Sequence, residues 1–320
     1  MRKESQIIEY AESLLSRVSP KCEREYIKAL TQAYNRATIA LNATNGIYTK
    51  KRLLIIISQI TSELKAINAK FGQVLPYQME EIVNGHIKYT EEELALALKH
   101  ADVQATLYSI PKSMMKEFTN IKSINYYRVD AKGVRHQTVT SMDAMIGSIA
   151  DTNAKKVKGI ILAEGAIGSS PESIARKINP YVSGNTVRRD IRGVTQSLLK
   201  KASENANLKF FSENSEYINY YLYNSVLDSR TTLICRQLDN KKFDKPCPTC
   251  STPQHFRCRS SLLAIPEGYN IPDKRPAVFP DKSVKMVSAD LSYNEVVEIY
   301  PEIANKSLIN TSTYLSKLAT

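Results

Sequence analysis

No stretch of this chain approaches the ~18–20 consecutive apolar residues that a membrane-spanning helix requires. Its densest apolar run, Leu53–Ile57, is short and falls in an amphipathic helical pattern, so no membrane span is expected. The opening MRKESQIIEYAESLL scatters charges through its apolar positions, which does not fit a secretion signal; the thiols are therefore expected to stay reduced in a cytoplasm. Glycine is sparse, 11 residues in 320, and no Gly-rich nucleotide loop or nucleophile motif supports a transferase or toxin. Histidine is scarcer still, at four residues. A nuclease of the histidine–metal type needs a catalytic His beside further His, Asn or Asp ligands, and only His255 stands among ligand-type residues. His136 has no cysteine or second histidine near it in sequence and reads as a surface residue.

Cysteine is also rare, but its placement is uneven. Four of the five cysteines and one of the four histidines fall within the 24 positions from Cys235 to Cys258. Cys247-Pro-Thr-Cys250 and His255-Phe-Arg-Cys258 each put two soft donors on one tight turn, and two such turns can close a tetrahedron around Zn²⁺. Five candidates, Cys235, Cys247, Cys250, His255 and Cys258, compete for four places. Cys247, Cys250, His255 and Cys258 form the simplest set, in which Cys235 could displace one member. Redox pairing and plain packing of buried thiols are the alternatives. No acid–base pair accompanies the cluster, so a closed structural zinc site is expected rather than a catalytic one. Cys22, far from the others, reads as a packed thiol.

The segment runs Leu227-Asp228-Ser229-Arg230-Thr231, then Cys235-Arg236-Gln237-Leu238-Asp239-Asn240-Lys241-Lys242-Phe243, then Pro253-Gln254-His255-Phe256-Arg257-Cys258-Arg259-Ser260. In order, spacing and flanking residues this resembles the C-terminal signature of the phage head morphogenesis family, the minor head proteins that include the Mu F-like proteins. Gly159–Ile178 resembles the family's helix, glycine turn and second helix, and the stretch near Arg192 stands where the family has a further helix. The likeness covers about 160–265, roughly a third of the chain. Thr232 occupies a place where many members have cysteine. Asn240 replaces the usual turn glycine, a mild change because Asn tolerates the left-handed conformation. Residues 191–195 keep the arginine and lose the glutamate. Cys247 and Cys250 read as a local addition.

The resemblance implies a non-enzymatic minor structural protein of a tailed-phage head, made in the host cytoplasm and carried in the virion. It implies several copies per particle, association with portal protein or major capsid protein, help in head assembly, and contact or ejection with the genome. Asp228, Arg230, Asp239 and Arg259 would be structural members of the signature. A zinc-stapled DNA-binding regulator or nuclease is the alternative reading of the same cluster.

The net charge of +12 is concentrated in residues 101–200, which carry +7 against +3 before and +2 after. Lys155, Lys156 and Lys158 form one cluster, and Arg188, Arg189 and Arg192 form another on an expected helix. Each alone reads as a solvated helix face. Taken with the resemblance, they are expected to make weak, sequence-independent DNA contacts.

The pattern predicts an α+β protein. Residues 1–120 form a helical N-terminal region, with a helix from Ser19-Pro20 to about Leu41, another from about Lys50 to Phe71, and a new start at the Thr90–Glu93 capping box. Residues 121–205 hold a β-hairpin around Asp130–Gly133 and then helices from Ser141, from Ser170-Pro171 to near Pro180, and from Asn185. Residues 206–268 hold a Tyr-rich strand at 217–227 and the Cys/His mini-domain, which the metal would staple. Residues 269–320 read as a C-terminal arm with a short helix near 293–300.

Overall fold

The computed structural model describes residues 24–43, 49–130, 132–182 and 185–304. The expected start at Ser19-Pro20 and the thiol of Cys22 lie outside them. Helix α1 covers the described residues 24–42; on its apolar face Tyr26, Leu30, Ala33, Ala37 and Leu41 are buried, and Ala29 and Ala40 half-buried. The Tyr26 hydroxyl donates to the side chain of Asn68 on the next helix, whose own amide donates to the Ile146 carbonyl at 2.8 Å. A polar bridge thus crosses three helices.

Helix α2, Lys50–His100, is capped by Thr49, whose hydroxyl accepts from the Arg52 amide at 3.3 Å. It is one continuous helix of 51 residues, where the sequence suggested an end near Phe71 and a fresh start at Thr90. Thr90 does not cap: its hydroxyl donates to the His86 carbonyl within the helix and stands 3.2 Å from Asn207 Oδ1. Pro76 lies inside as well. A proline in a helix interior costs ~3 kcal/mol and removes one backbone donor. The compensation is an unbroken buried stripe of Leu75, Met79, Val83, Ile87, Leu94 and Leu98, covered by the helices that pack along it. Burying each such side chain stabilises by roughly 1.5–3 kcal/mol, so tertiary packing outweighs the local stop signals.

After a short helix α3, Met115–Thr119, strands β1, Ser123–Val129, and β2, Arg135–Ser141, form the expected antiparallel hairpin, with Val129 opposite Arg135. Asp130 builds its turn, accepting from the Lys132 and Val134 amides at 2.9 Å each, and His136 Nε2 lies 2.7 Å from the same carboxylate. Ser141 then caps α4, Met142–Ala166, accepting from the Ala144 amide at 3.0 Å. Gly168, at φ +72°, turns the chain into α5, Pro171–Val182, which passes the expected end at Pro180. Helix α6, Asn185–Glu213, packs against α2, α3, α4 and α5.

The polypeptide then changes character. Strand β3, Tyr220–Asn224, lies central in a small antiparallel sheet between β4, Lys242–Phe243, and β5, Ser261–Ile265, with helix α7, Leu233–Leu238, in the β3–β4 connection. Beyond it, residues read from sequence as an arm fold over their described part. β6, Lys274–Val278, pairs with β7, Val284–Ser288, and α8, Tyr293–Ile299, begins with a Ser292–Glu295 capping box. Phe279, Val287, Tyr293, Val296 and Ile303 bury themselves against Leu227 in a second, smaller core. So few apolar residues suffice because Leu227, at the turn between β3 and α7, supplies the other wall. The molecule is α+β, with its helical part N-terminal and its sheets largely C-terminal.

Candidate metal centre

The pairing of β3 with β5 sets the geometry of the site. Asn224 faces Ser261 at the end of the ladder, so the turn after β3 and the residues before β5 are brought side by side. Cys235, on α7, thereby meets His255 and Cys258 from the loop that enters β5. Their ligand atoms all lie within 4.8 Å of one another, and the two sulfurs are 3.8 Å apart. A Cys–His–Cys group able to hold a metal ion is present. Cys235 and Cys258 are buried and His255 is half-buried.

The five sequence candidates therefore divide. Cys235, His255 and Cys258 come together, whereas Cys247 and Cys250 close a turn of their own in which the Cys247 amide donates to the Cys250 sulfur at 2.9 Å. The set that looked simplest, Cys247, Cys250, His255 and Cys258, is not the one the fold assembles. Nearness in sequence misled there: α7 carries Cys235 into the group across 19 intervening residues to His255, and strand pairing decides the outcome.

His255 Nδ1 lies 2.9 Å from the Phe256 carbonyl oxygen. That oxygen can only accept, so Nδ1 carries a proton and Nε2 is the nitrogen available to a metal, an outer hydrogen bond of the kind that orients histidine ligands. Burial works to raise the Cys258 thiol, but hydrogen bonds from Cys235 and His255 and the charge of the ring outweigh it and hold Cys258 well below the usual thiol range. Burial likewise opposes a charged His255, yet the Cys258 sulfur raises its pKa. The hydrogen bond to Cys258, then burial, push the Cys235 thiol far up. The shifts of Cys258 and His255 thus run toward a thiolate beside a charged ring, and that of Cys235 toward a neutral thiol. The Tyr223 hydroxyl stands 3.3 Å from the Cys235 sulfur.

Around this group the other motif residues act as braces. Asp228 is buried and accepts from both Arg259 guanidinium nitrogens at 2.7 Å, from the Arg230 amide at 2.9 Å and from Arg230 Nε at 3.2 Å. Burial would raise its carboxyl, but Arg259 and then Arg230 prevail and hold it below the usual range. Asp239 accepts from the Ser225 amide at 2.8 Å and forms a buried pair with Arg275, whose Nη2 is 2.5 Å away. Asn240 takes the left-handed conformation at φ +61°, as its place in the turn required, and its side-chain amide donates to the Asp290 carbonyl at 2.6 Å. The Tyr293 hydroxyl donates to the Asp228 carbonyl at 2.8 Å beneath the Arg236 guanidinium, which sits 4.5 Å from that ring's centroid. Arg236 stood within the quoted motif with no role assigned to it, whereas Arg275 and Tyr293 had no signal of their own in the sequence.

Helix α6 is the bed for the loop. Glu204 is buried and accepts from the Thr252 amide at 3.1 Å and hydroxyl at 2.8 Å, while Ser197 Oγ accepts from the Arg257 amide at 2.9 Å. A Cβ at Gly193 would stand 2.3 Å from Arg257 Nε and 2.7 Å from the Phe256 ring, so those two side chains would have to shift to admit one. The basic residues are elsewhere: Lys155, Lys156 and Lys158 are exposed on α4, and Arg188, Arg189 and Arg192 are exposed on α6. The second cluster adjoins the ligand loop, since the Arg257 guanidinium donates to the Arg189 carbonyl. Lys156 lies 5.1 Å above the Tyr181 ring. Among the described residues no helix is long and apolar enough to cross a membrane.

Comparison with protein-family models, with curated proteins and with solved structures returns no match for this chain.

Proposed function

We propose that this chain is a minor structural protein of a tailed-phage head, bound to the portal or the inner face of the capsid through contacts with portal or major capsid protein, and that its Cys–His–Cys group holds a structural zinc. The observation that carries the reading is the convergence of the residues behind the resemblance. Asp228, Arg230 and Arg259 join in one ion cluster, and Cys235, His255 and Cys258 in one donor group, although they are spread over 32 positions. A signature arising by chance would have no reason to close on itself in this way.

Two thiolates and an imidazole suit Zn²⁺, and loading would take the proton from Cys235 and require a neutral His255. Three protein donors leave one position for another donor, where the sequence suggested a closed set of four. Burial of Cys235 and Cys258 favours a stapling role over turnover. The six exposed cations on α4 and α6 would give salt-sensitive, sequence-independent contact with genomic DNA. A zinc-stapled regulator would instead bind duplex DNA with sequence preference.

The test is mass spectrometry of purified phage particles, with electron microscopy of heads made after the coding sequence is deleted. The protein should be present at low copy and its loss should lower the yield of filled heads. Particles that lack it, with heads unaffected by the deletion, would contradict the reading.

A further inference from the structure

The Cys247–Cys250 turn is used neither by the metal group nor by the braces around it. Cys247 is half-buried on the rim of a cleft of about 610 Å³ that Ile124, Asn125, Lys201, Leu208 and Tyr221 also line. Cys250 is fully buried. The turn is tight, with the amides of Cys250 and Ser251 donating to the Cys247 carbonyl at 3.0 and 2.9 Å, and the Cys250 thiol donating to the same carbonyl at 3.2 Å. The Thr249 hydroxyl stands 3.3 Å from the Cys247 sulfur, and Glu204 anchors the far end of the turn through Thr252.

We propose that Cys247 and Cys250 form a thiol–disulfide exchange site that takes a small disulfide in this cleft, with Cys247 as the attacking sulfur and Cys250 as the resolving one. The Cys247 thiolate attacks one sulfur of the incoming disulfide; a Cys247–S–S–R bond forms, the original S–S bond breaks, and one R–S⁻ leaves. The Cys250 thiol then gives up its proton and attacks Cys247 Sγ. This forms the Cys247–Cys250 disulfide and expels the second R–S⁻, and the two departing thiolates are protonated from solvent and by the Cys250 proton. The cysteine pair loses two electrons and the small disulfide gains them.

The two sulfurs differ as such a sequence requires. Burial acts to raise Cys247, but hydrogen bonds from Cys250, Thr249 and the turn amides outweigh it and lower its pKa. Burial, then the neighbouring Cys247, push Cys250 up to about 12.

The experiment incubates the full chain with glutathione disulfide, blocks remaining thiols by alkylation, and locates each sulfur by mass spectrometry, with circular dichroism to establish that every variant is folded. Wild type should acquire a Cys247–Cys250 disulfide. Cys250→Ser should retain glutathione on Cys247 several-fold above wild type, and Cys247→Ser should retain none at Cys250. A folded Cys250→Ser chain whose Cys247 stays free of glutathione would overturn the proposal. So would wild-type Cys247 and Cys250 that resist both oxidant and alkylation until a chelator is added, since they would then be metal ligands. Because the readout is at these two sulfurs, loss of zinc from the Cys235 group alone would leave the result unchanged.

Discussion

Helices α2, α4 and α6 bury a long stripe of Leu, Ile, Val and Met side chains against one another, whereas the cluster under β6, β7 and α8 has, among the described residues, seven buried apolar side chains of its own. What the second region has instead is directed contacts: the Asp239–Arg275 pair, the Asp228–Arg259 fork, the Tyr293 hydroxyl on the Asp228 carbonyl and the Cys–His–Cys group nearby. Apolar packing spreads its stabilisation over many small terms, so local stop signals such as Pro76 can be overridden. A small unit held by a few charges and sulfurs depends on each of them. Small cores commonly need such staples.

The sharpest way to break the comparison is Asp239→Ala. It leaves Arg275 buried without its partner, and removing one member of a buried ion pair costs about 3–5 kcal/mol. Hydrogen exchange should show protection lost across β6, β7 and α8 while α2, α4 and α6 keep theirs. Equal loss in both regions would mean that they are not separately held. Next in size is Leu75→Ala, fully buried in α2, at about 2–4 kcal/mol from lost burial and the cavity left behind. Chemical denaturation should register it in the helices first.

The smallest effect concerns Glu204, which ties α6 to the ligand loop through Thr252. Its burial raises its pKa against the opposing pull of Lys200 and Thr252. A raised folded pKa means that the fold favours the protonated acid: the stability it contributes is present below the ordinary carboxylate range and is lost as pH rises through the raised value. Denaturation midpoints measured across that window should fall with rising pH in wild type and flatten in Glu204→Gln. A slope unchanged in the variant would assign the effect to another group.

Much of this fold could be read in advance where the signal is local. The hairpin around Asp130, the helix start at Ser141 and the left-handed turn at Asn240 each depend on a few adjacent residues, and the sequence reading found each of them. Two kinds of feature escaped it. Thr90–Glu93 has the spacing of a helix start, but Thr90 is spent on His86 and Asn207 because neighbouring helices cover α2 throughout. The division of the sulfurs was equally hidden, since it follows from strand pairing that brings α7 to the mouth of β5. Asp228 and Arg230 bond each other within one turn; that Arg259 would take the larger share of the Asp228 carboxylate needed the sheet register.

The division of the sulfurs is also where the account is most exposed. Elemental analysis for zinc on the purified chain, beside Cys258→Ser and a Cys247→Ser, Cys250→Ser double variant, tests it directly. The account predicts about one zinc per chain in wild type and in the double variant, lost on chelation with a fall in melting temperature, and none in Cys258→Ser. Zinc lost from the double variant but kept in Cys258→Ser would contradict it.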